Sequence, residues 1–323
     1  MKYRKLGKSD LVVSEISLGC WTLGGRNWSE GKANGWADVD EKDVTEAVYY
    51  ALDNGVTHFD NADVYGNGKA ERLLAKILGN RTKDVTIATK VGWFSGTAIH
   101  AYDPLNIRHQ CEQSLKNLNR DVIDLYYFHH GNFGENDYYL DDAIEEIYKL
   151  KEEGKIRYIG QSAYSNNDFL KLIPKVKPVV IQSSANAIDD HYIAEGTPVR
   201  QILEEEQISF IAFGPIAQGI LLGKYNKNNP PVFDEGDHRK NAERFSVDYL
   251  TKIEPKIEAL KNKFGNDTKD LARAALQYLL HYNVVGAVIP GFRNLRQVIT
   301  NLSAQDKPLT DEEFNFIKNL FKS

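Results

Sequence analysis

The chain is poor in cysteine, has no surplus of positive charge and contains no long apolar run, and each shortage removes a class of function. Its two cysteines, Cys20 and Cys111, lack metal-like spacing. In 323 residues such a pair reads as reduced thiols in a reducing compartment, which places the protein in the cytoplasm and argues for no metal site. Lysine and arginine total 40 against 45 acidic residues, a formal net charge of −5, with a pI near 5.9. That balance attracts neither nucleic acid nor an anionic membrane surface and leaves a small soluble ligand open. The opening "MKYRKLGKSD" has no apolar signal region, and no uninterrupted apolar run nears the roughly 20 residues that cross a bilayer. Secretion and membrane insertion are therefore not expected. There is also no linker, no sequence repeat and no low-complexity tract, so residues 1–323 are expected to form a single domain.

What is present is a rhythm. Eight short runs rich in β-branched and aromatic residues recur: "EISLGC", "VTHFD", "DVTIATK", "VIDLYYFHH", "KIRYIGQS", "VVIQSS", "ISFIAFG" and "VGAVIPG". Apolar rather than alternating runs are the mark of strands covered on both faces, as in parallel sheets. Between them lie stretches with helical spacing, such as Val44, Ala47, Val48 and Leu52, or Ile107, Cys111, Leu115 and Leu118. Eight strand–helix units in roughly 300 residues predict an α/β fold, the (β/α)8 TIM barrel. Residues 1–14 read as an N-terminal β-hairpin turning at "GKSD" and able to plug the barrel bottom. Residues 223–247, polar and Pro-bearing, are too long for an ordinary connection and predict a loop over the site.

Chemistry in this fold collects where the strands end, and the runs end on Asp60, Lys90, His129, Ser162, Gln182, Gly214 and Gly291. Taken singly, each has a bland explanation: Asp60 and Asp63 as caps of a helix starting near Lys69, Lys90 as a surface lysine, His129 and His130 as core or loop histidines. As a set, Asp60, Tyr65, Lys90 and His129 form a proton-donating group aimed at an oxygen. A lysine ammonium beside a phenol is expected to lower its pKa, a carboxylate is the counter-ion for that lysine, and a histidine can orient a carbonyl. None of these is an acyl-transfer nucleophile, a hydride source or a full metal shell, so a reduction requires an external cofactor.

The segments "FDNADVYG", "IATKVG" and "IDLYYFHH" resemble the signature, the lysine strand and the histidine strand of the aldo-keto reductases, and the likeness runs over nearly the whole chain. The extended "FGPIAQGILLGKY" is similar to a segment of the longer, potassium-channel β-subunit-like members. The resemblance implies Tyr65 as general acid, Lys90 and Asp60 as the groups that tune it, and His129 as the orienter of a carbonyl. It implies a nicotinamide cofactor, usually NADP with NAD the alternative, and a small aldehyde or ketone as partner. The cofactor positions that follow from it are Gly19, Trp21 and Asp60, then Ser162, Gln182 and Phe213. From the strand-seven segment come Gly214, Pro215, Ala217, Gln218 and Lys224, with Arg239 from "GDHRKNAERF". From "IPGFRNLRQVITN" come Gly291, Arg293, Gln297 and Asn301, where Asn294 reads as a helix N-cap.

Two departures from the family pattern stand out: Ala163 replaces an asparagine whose amide binds the nicotinamide carboxamide, and Thr300 replaces a glutamate on the adenine side. Arg293 and Arg296 favour the phosphorylated dinucleotide. Trp21, Trp28, Trp93, Phe94 and Phe133 are candidate walls of a substrate pocket. Two other functions remain open at this level. One is a barrel lyase using Lys90 as Schiff-base nucleophile; the other is a non-catalytic nicotinamide-binding subunit serving a partner protein.

Overall fold

The first two strands, β1 (Tyr3–Lys5) and β2 (Val12–Ser14), pair antiparallel in the computed structural model, which describes residues 1–29 and 31–322. Their turn is tight because Gly7, at φ +51°, carries no Cβ to strike the Val179 carbonyl. Leu6, Leu11 and Val13 leave this hairpin for a core shared with Ala88, Leu125, Tyr127, Val180 and Ile211. Those partners sit on barrel strands and point inward, so the hairpin plugs one end of the barrel.

Eight parallel strands follow. They are β3 (Leu18–Gly19), β6 (His58–Asp60), β7 (Thr86–Val91), β8 (Ile123–Phe128), β9 (Ile156–Ser162), β10 (Val180–Ser184), β11 (Ser209–Phe213) and β12 (Val285–Ile289), hydrogen-bonded in chain order. Parallel bridges Ile16–Val288 and Gly19–Gly291 join the first to the last. At Gly19 any Cβ would lie 2.9 Å from the Ile289 carbonyl oxygen, so this seam requires glycine. All eight runs read as strands from the sequence are these strands. A short antiparallel ribbon, β4 (Arg26–Ser29) and β5 (Lys32–Gly35), stands on the rim just after β3. It is not among the strands expected above, because its residues are largely polar and its strands short.

Helices wrap the barrel: α1 (Glu41–Asp53), α2 (Lys69–Leu78), α3 (Pro104–Leu118), α4 (Leu140–Glu152), α5 (Asn166–Val176), α6 (Pro198–Glu205), α7 (Val247–Phe264), α8 (Thr268–Leu280), α9 (Leu295–Leu302) and α10 (Asp311–Lys322). Their starts follow capping chemistry. Asp40, Ser165, Ser246 and Asn294 each accept a hydrogen bond from a backbone N–H in the first turn. Their ends are marked by glycine, with Gly55, Gly79 and Gly154 at positive φ just past α1, α2 and α4. Helix α2 is different: its N-cap is Gly68, so neither Asp60 nor Asp63 caps it. Cys20 and Cys111 are buried and unpaired. Among the described residues no helix is long and apolar enough to cross a membrane.

Because Leu6 is fully buried in the barrel floor, Leu6→Ala is expected to destabilise the protein by about 2–5 kcal/mol in urea unfolding. A loss below about 1 kcal/mol would mean that the plug contributes no packed core.

Candidate active site

The strand ends bring four polar side chains to one spot. In β6, Phe59 faces the helices and Asp60 faces the barrel interior, as a period of two requires. Lys90 lies near the end of the neighbouring β7, whose Ala88 is in register with Asp60. Its ammonium is 2.5 Å from Asp60 Oδ1, 2.7 Å from the Asn61 carbonyl and 3.3 Å from Tyr65 Oη. Each of its three N–H donors thus has an acceptor. The second Asp60 oxygen accepts from Gln182 Nε2 at 2.7 Å. Lys90 is wholly buried and Asp60 is 1% exposed. Tyr65 reaches this pair from a loop held by its own backbone bond to Ala62 and by the close approach of Gly24, where a Cβ would collide with the Tyr65–Gly66 peptide.

His129 follows β8 and is anchored by its N–H to the Val91 carbonyl, 2.9 Å away. Its ring meets that of Tyr65 edge to face, 6.0 Å between centroids, and its Nδ1 has no hydrogen-bond partner. Burial, with the nearby Lys90 and His130, holds the imidazole well below its usual pKa, so it is neutral at pH 7.

The electrostatics of Tyr65 differ from the expectation that Lys90 lowers its pKa. Burial pushes the phenol well above its ordinary value, and Asp60, Cys20 and Asp63 add to the effect. The lysine does not win because its charge is already met by Asp60 at 2.5 Å. What Lys90 does instead is geometric: by donating to Tyr65 Oη it occupies a lone pair and leaves the phenolic proton to point elsewhere. Tyr65 also lines the adjoining cavity, so that proton has an open direction.

The cavity holds about 630 Å³ at the C-terminal mouth of the barrel, within the range usual for cofactor and substrate sites. Asp60, Tyr65 and His129 form its floor, and Lys90 lies beneath them, off the wall. Ser162, Gln182, Phe213, Gly214 and Pro215 line one side, continued by Gln218 and Lys224. Gly19, Trp21, Gly291, Arg293, Gln297 and Asn301 line the next, and Arg239 reaches in from the long loop. Ala217 alone of the strand-seven residues turns away, buried among core side chains. The two substituted positions behave as their chemistry requires: Ala163 is buried with only its backbone bonded, and Thr300 lies on the cavity wall.

Arg293 is fixed by donating to the Ala37 and Asp38 carbonyls, 3.1 and 2.7 Å away, while its buried Nε has no partner. Of the residues read as substrate walls, Trp21 and Trp93 line the cavity. Trp28 stands 63% exposed on the outer face of the rim ribbon, Phe133 is core stacked on Tyr102, and Phe94 lies off the cavity. Sequence reasoning overlooked Asn27, Asn34, Trp36 and Tyr164, all on the wall. Three of them come from the rim ribbon and its exit; Tyr164, next to Ala163, was legible from its place after β9. The long loop seats His238 against Trp21 and Trp36, with centroids 4.3 and 4.5 Å apart, and Arg239 over Trp36 at 4.4 Å. Among the described residues no cluster of histidine, cysteine or acidic side chains is arranged to hold a metal.

A family model described as the aldo/keto reductase family matches residues 15–322. The chain is 32% identical over 326 residues to the uncharacterized oxidoreductase YqkF of Bacillus subtilis, covering 99% of this chain and 96% of that protein. It is 27% identical to a probable voltage-gated potassium channel subunit beta of Arabidopsis thaliana, covering 95% and 92% of the two chains. Among solved structures it matches the holo form of aldo-keto reductase AKR11C1 from Bacillus halodurans with a TM-score of 0.77 and 30% identity, covering 99% and 96%.

Asp63 offers a test of the site's electrostatic background. Both of its oxygens are buried without partners, and burial, with Glu71, raises its pKa well above the ordinary value. A raised acid binds its proton more tightly when folded. Its contribution is therefore intact below the unfolded pKa near 4 and declines as pH rises above that value. Asp63→Asn is thus expected to gain stability over the parent progressively from pH 5 to 8 in thermal melts. A constant or shrinking difference would show that the carboxyl ionises freely in the fold.

Proposed function

The chain belongs to the aldo/keto reductase family, whose members use nicotinamide cofactors, and from that premise we propose an NADPH-dependent reductase of small aldehydes or ketones. The observation that carries the reading is the stack Asp60–Lys90–Tyr65, bonded at 2.5 and 3.3 Å, with the phenol on a cavity wall beside a neutral imidazole. The residues fit a dinucleotide. Phe213 offers a ring face, Gly214 and Gly291 allow close backbone approach, and Gln182 and Ser162 bring polar atoms. At the other end Lys224, Arg244 and Arg293 gather positive charge beside the Arg239–Asp237 pair, and a guanidinium on the cavity wall, as in Arg293, is suited to phosphate oxygens. Burial and the nearby Arg296 lower the Lys224 pKa, a sign of crowded cations. This excess of charge is what supports the phosphorylated dinucleotide over the plain one.

When bound, the nicotinamide supplies the hydride. This chain's own residues do the rest. His129 and Tyr65 both hydrogen-bond the carbonyl oxygen and orient it. As negative charge grows on that oxygen, Tyr65 transfers its proton, and the Lys90 ammonium, already bonded to Tyr65 Oη, stabilises the phenolate left behind. Asp60 and Gln182 hold the lysine in place. The Schiff-base lyase reading is weakened by the same contacts: Lys90 is off the cavity wall with every donor engaged, so it is not placed to attack a carbonyl in the cavity. Similarity to proteins named as potassium channel β subunits keeps a binding role as the second reading, and turnover decides between them.

Tyr65→Phe is expected to bind NADPH with unchanged affinity, followed by cofactor fluorescence, and to lose at least about a hundredfold in kcat with aldehydes. Normal turnover by that variant would remove Tyr65 from the role of acid. Arg293→Ala is expected to weaken NADPH about 10- to 100-fold and NADH by less than about threefold in the same titration. Equal losses would mean that the arginine does not read the extra phosphate.

A further inference from the structure

The rim ribbon that sequence reading missed carries an opposed pair of amides. Asn27 and Asn34 are in register across β4 and β5, so their side chains leave the same face of the ribbon, while Trp28 leaves the opposite face and is exposed. Both asparagines line the cavity. Their orientation is fixed by backbone donors: Asn27 Oδ1 accepts from the Gly66 N–H, and Asn34 Oδ1 accepts from the Gly35 N–H at 2.7 Å. With each oxygen engaged, each amide presents its NH2 outward, and among the described residues neither nitrogen has a partner. Gly66 follows Tyr65 directly, so Asn27 is bonded to the backbone of the loop that carries Tyr65, and both side chains line the same cavity.

Two cations beside the ribbon already have partners. Lys69 is paired with Asp38 at 3.0 Å, and Arg239 with Asp237 at 2.6 Å. What the ribbon offers is therefore neutral donors without net charge, suited to hydroxyl oxygens rather than to a carboxylate. Apolar rings beside it, Trp21 and Trp36, supply a wall for the carbon skeleton.

We propose that Asn27 and Asn34 are specificity residues that select carbonyl compounds bearing neutral hydroxyl groups near the carbonyl over apolar carbonyls of similar size. The inference rests on the reductase reading. A donor pair facing a hydroxylated substrate gains hydrogen bonds that it loses to an unsubstituted one, where the amides must stay with water or go unpaired.

The test compares glyceraldehyde with propanal as substrates for NADPH oxidation. Asn34→Asp keeps the acceptor for the Gly35 N–H and removes the donor; Asn34→Ala removes the donor without adding charge. In both, the ratio of kcat/KM for glyceraldehyde over propanal is expected to fall about tenfold, mainly through KM, while the Kd for NADPH changes less than about threefold. An unchanged ratio in both variants, or a lost NADPH affinity with the ratio intact, overturns the inference and leaves the reductase reading standing. If the parent protein oxidises NADPH with neither aldehyde, the reductase reading fails and the inference falls with it.

Discussion

Everything at the barrel mouth depends on one buried ion pair. Taking an ammonium and a carboxylate out of water costs several kcal/mol each, and their attraction repays this only when the remaining donors and acceptors are satisfied. Lys90 and Asp60 meet that condition. The lysine's three donors go to Asp60, the Asn61 carbonyl and Tyr65, and the other Asp60 oxygen receives Gln182. The pair spans adjacent parallel strands, and Gln182 arrives from across the barrel on β10, so closing the barrel and satisfying the pair are the same event. A shift of one residue in the register of β6 or β7 would turn one partner toward the helices. The site and the fold are specified together.

The two ends of the barrel divide the work. At the bottom the hairpin fills the interior with Leu6, Leu11 and Val13, while its polar groups are met at the edge, Arg4 by Glu15 and the Val285 carbonyl and the Gly7 N–H by Ser209. At the top the long loop is held by stacking rather than by regular structure. His238 packs on Trp21 and Trp36 and shares a hydrogen bond with Gln218, while Arg239 lies over Trp36 and Phe233. Ring contacts of this kind contribute about 0.5–1.5 kcal/mol each. Together they fix a 25-residue polar segment without giving it a core of its own.

How much of this was legible in the sequence depends on how local the determining physics is. Strand positions were legible because burial on both faces leaves an apolar run, and the residues ending those runs follow by counting. Asp60, Lys90, His129 and Gln182 were found this way. The β4–β5 ribbon was not, because "RNWS" and "KANG" have no apolar period and pair only with each other. Trp28 and Phe133 were misplaced for a related reason: an aromatic residue's type says that it packs, and only the fold says against what. The Tyr65 pKa went the wrong way because the charges can be named from the sequence, Asp60 as counter-ion included, while the cost of burial, which is the largest cause, appears only in the fold. Ala217 sits among cavity residues in sequence, yet a turn with positive φ at Ala217 and Gln218 sends its methyl into the core.

Charge is distributed along the cavity in a way that gives it a direction. One end collects Lys224, Arg244 and Arg293 beside the Arg239–Asp237 pair; the other holds a neutral phenol, a neutral imidazole and two amides above an ion pair of no net charge. A ligand with an anionic tail and a neutral head has one favourable orientation in such a field, and the reverse would set phosphates against unprotonated His129 and buried Asp60. The cancellation at Asp60 matters most when charge appears. Were that carboxylate unpaired, an oxygen gaining negative charge beside Tyr65 would meet repulsion in a site too dry to screen it. With Lys90 placed between them, the same oxygen meets a donor whose charge is available as the phenol gives up its proton.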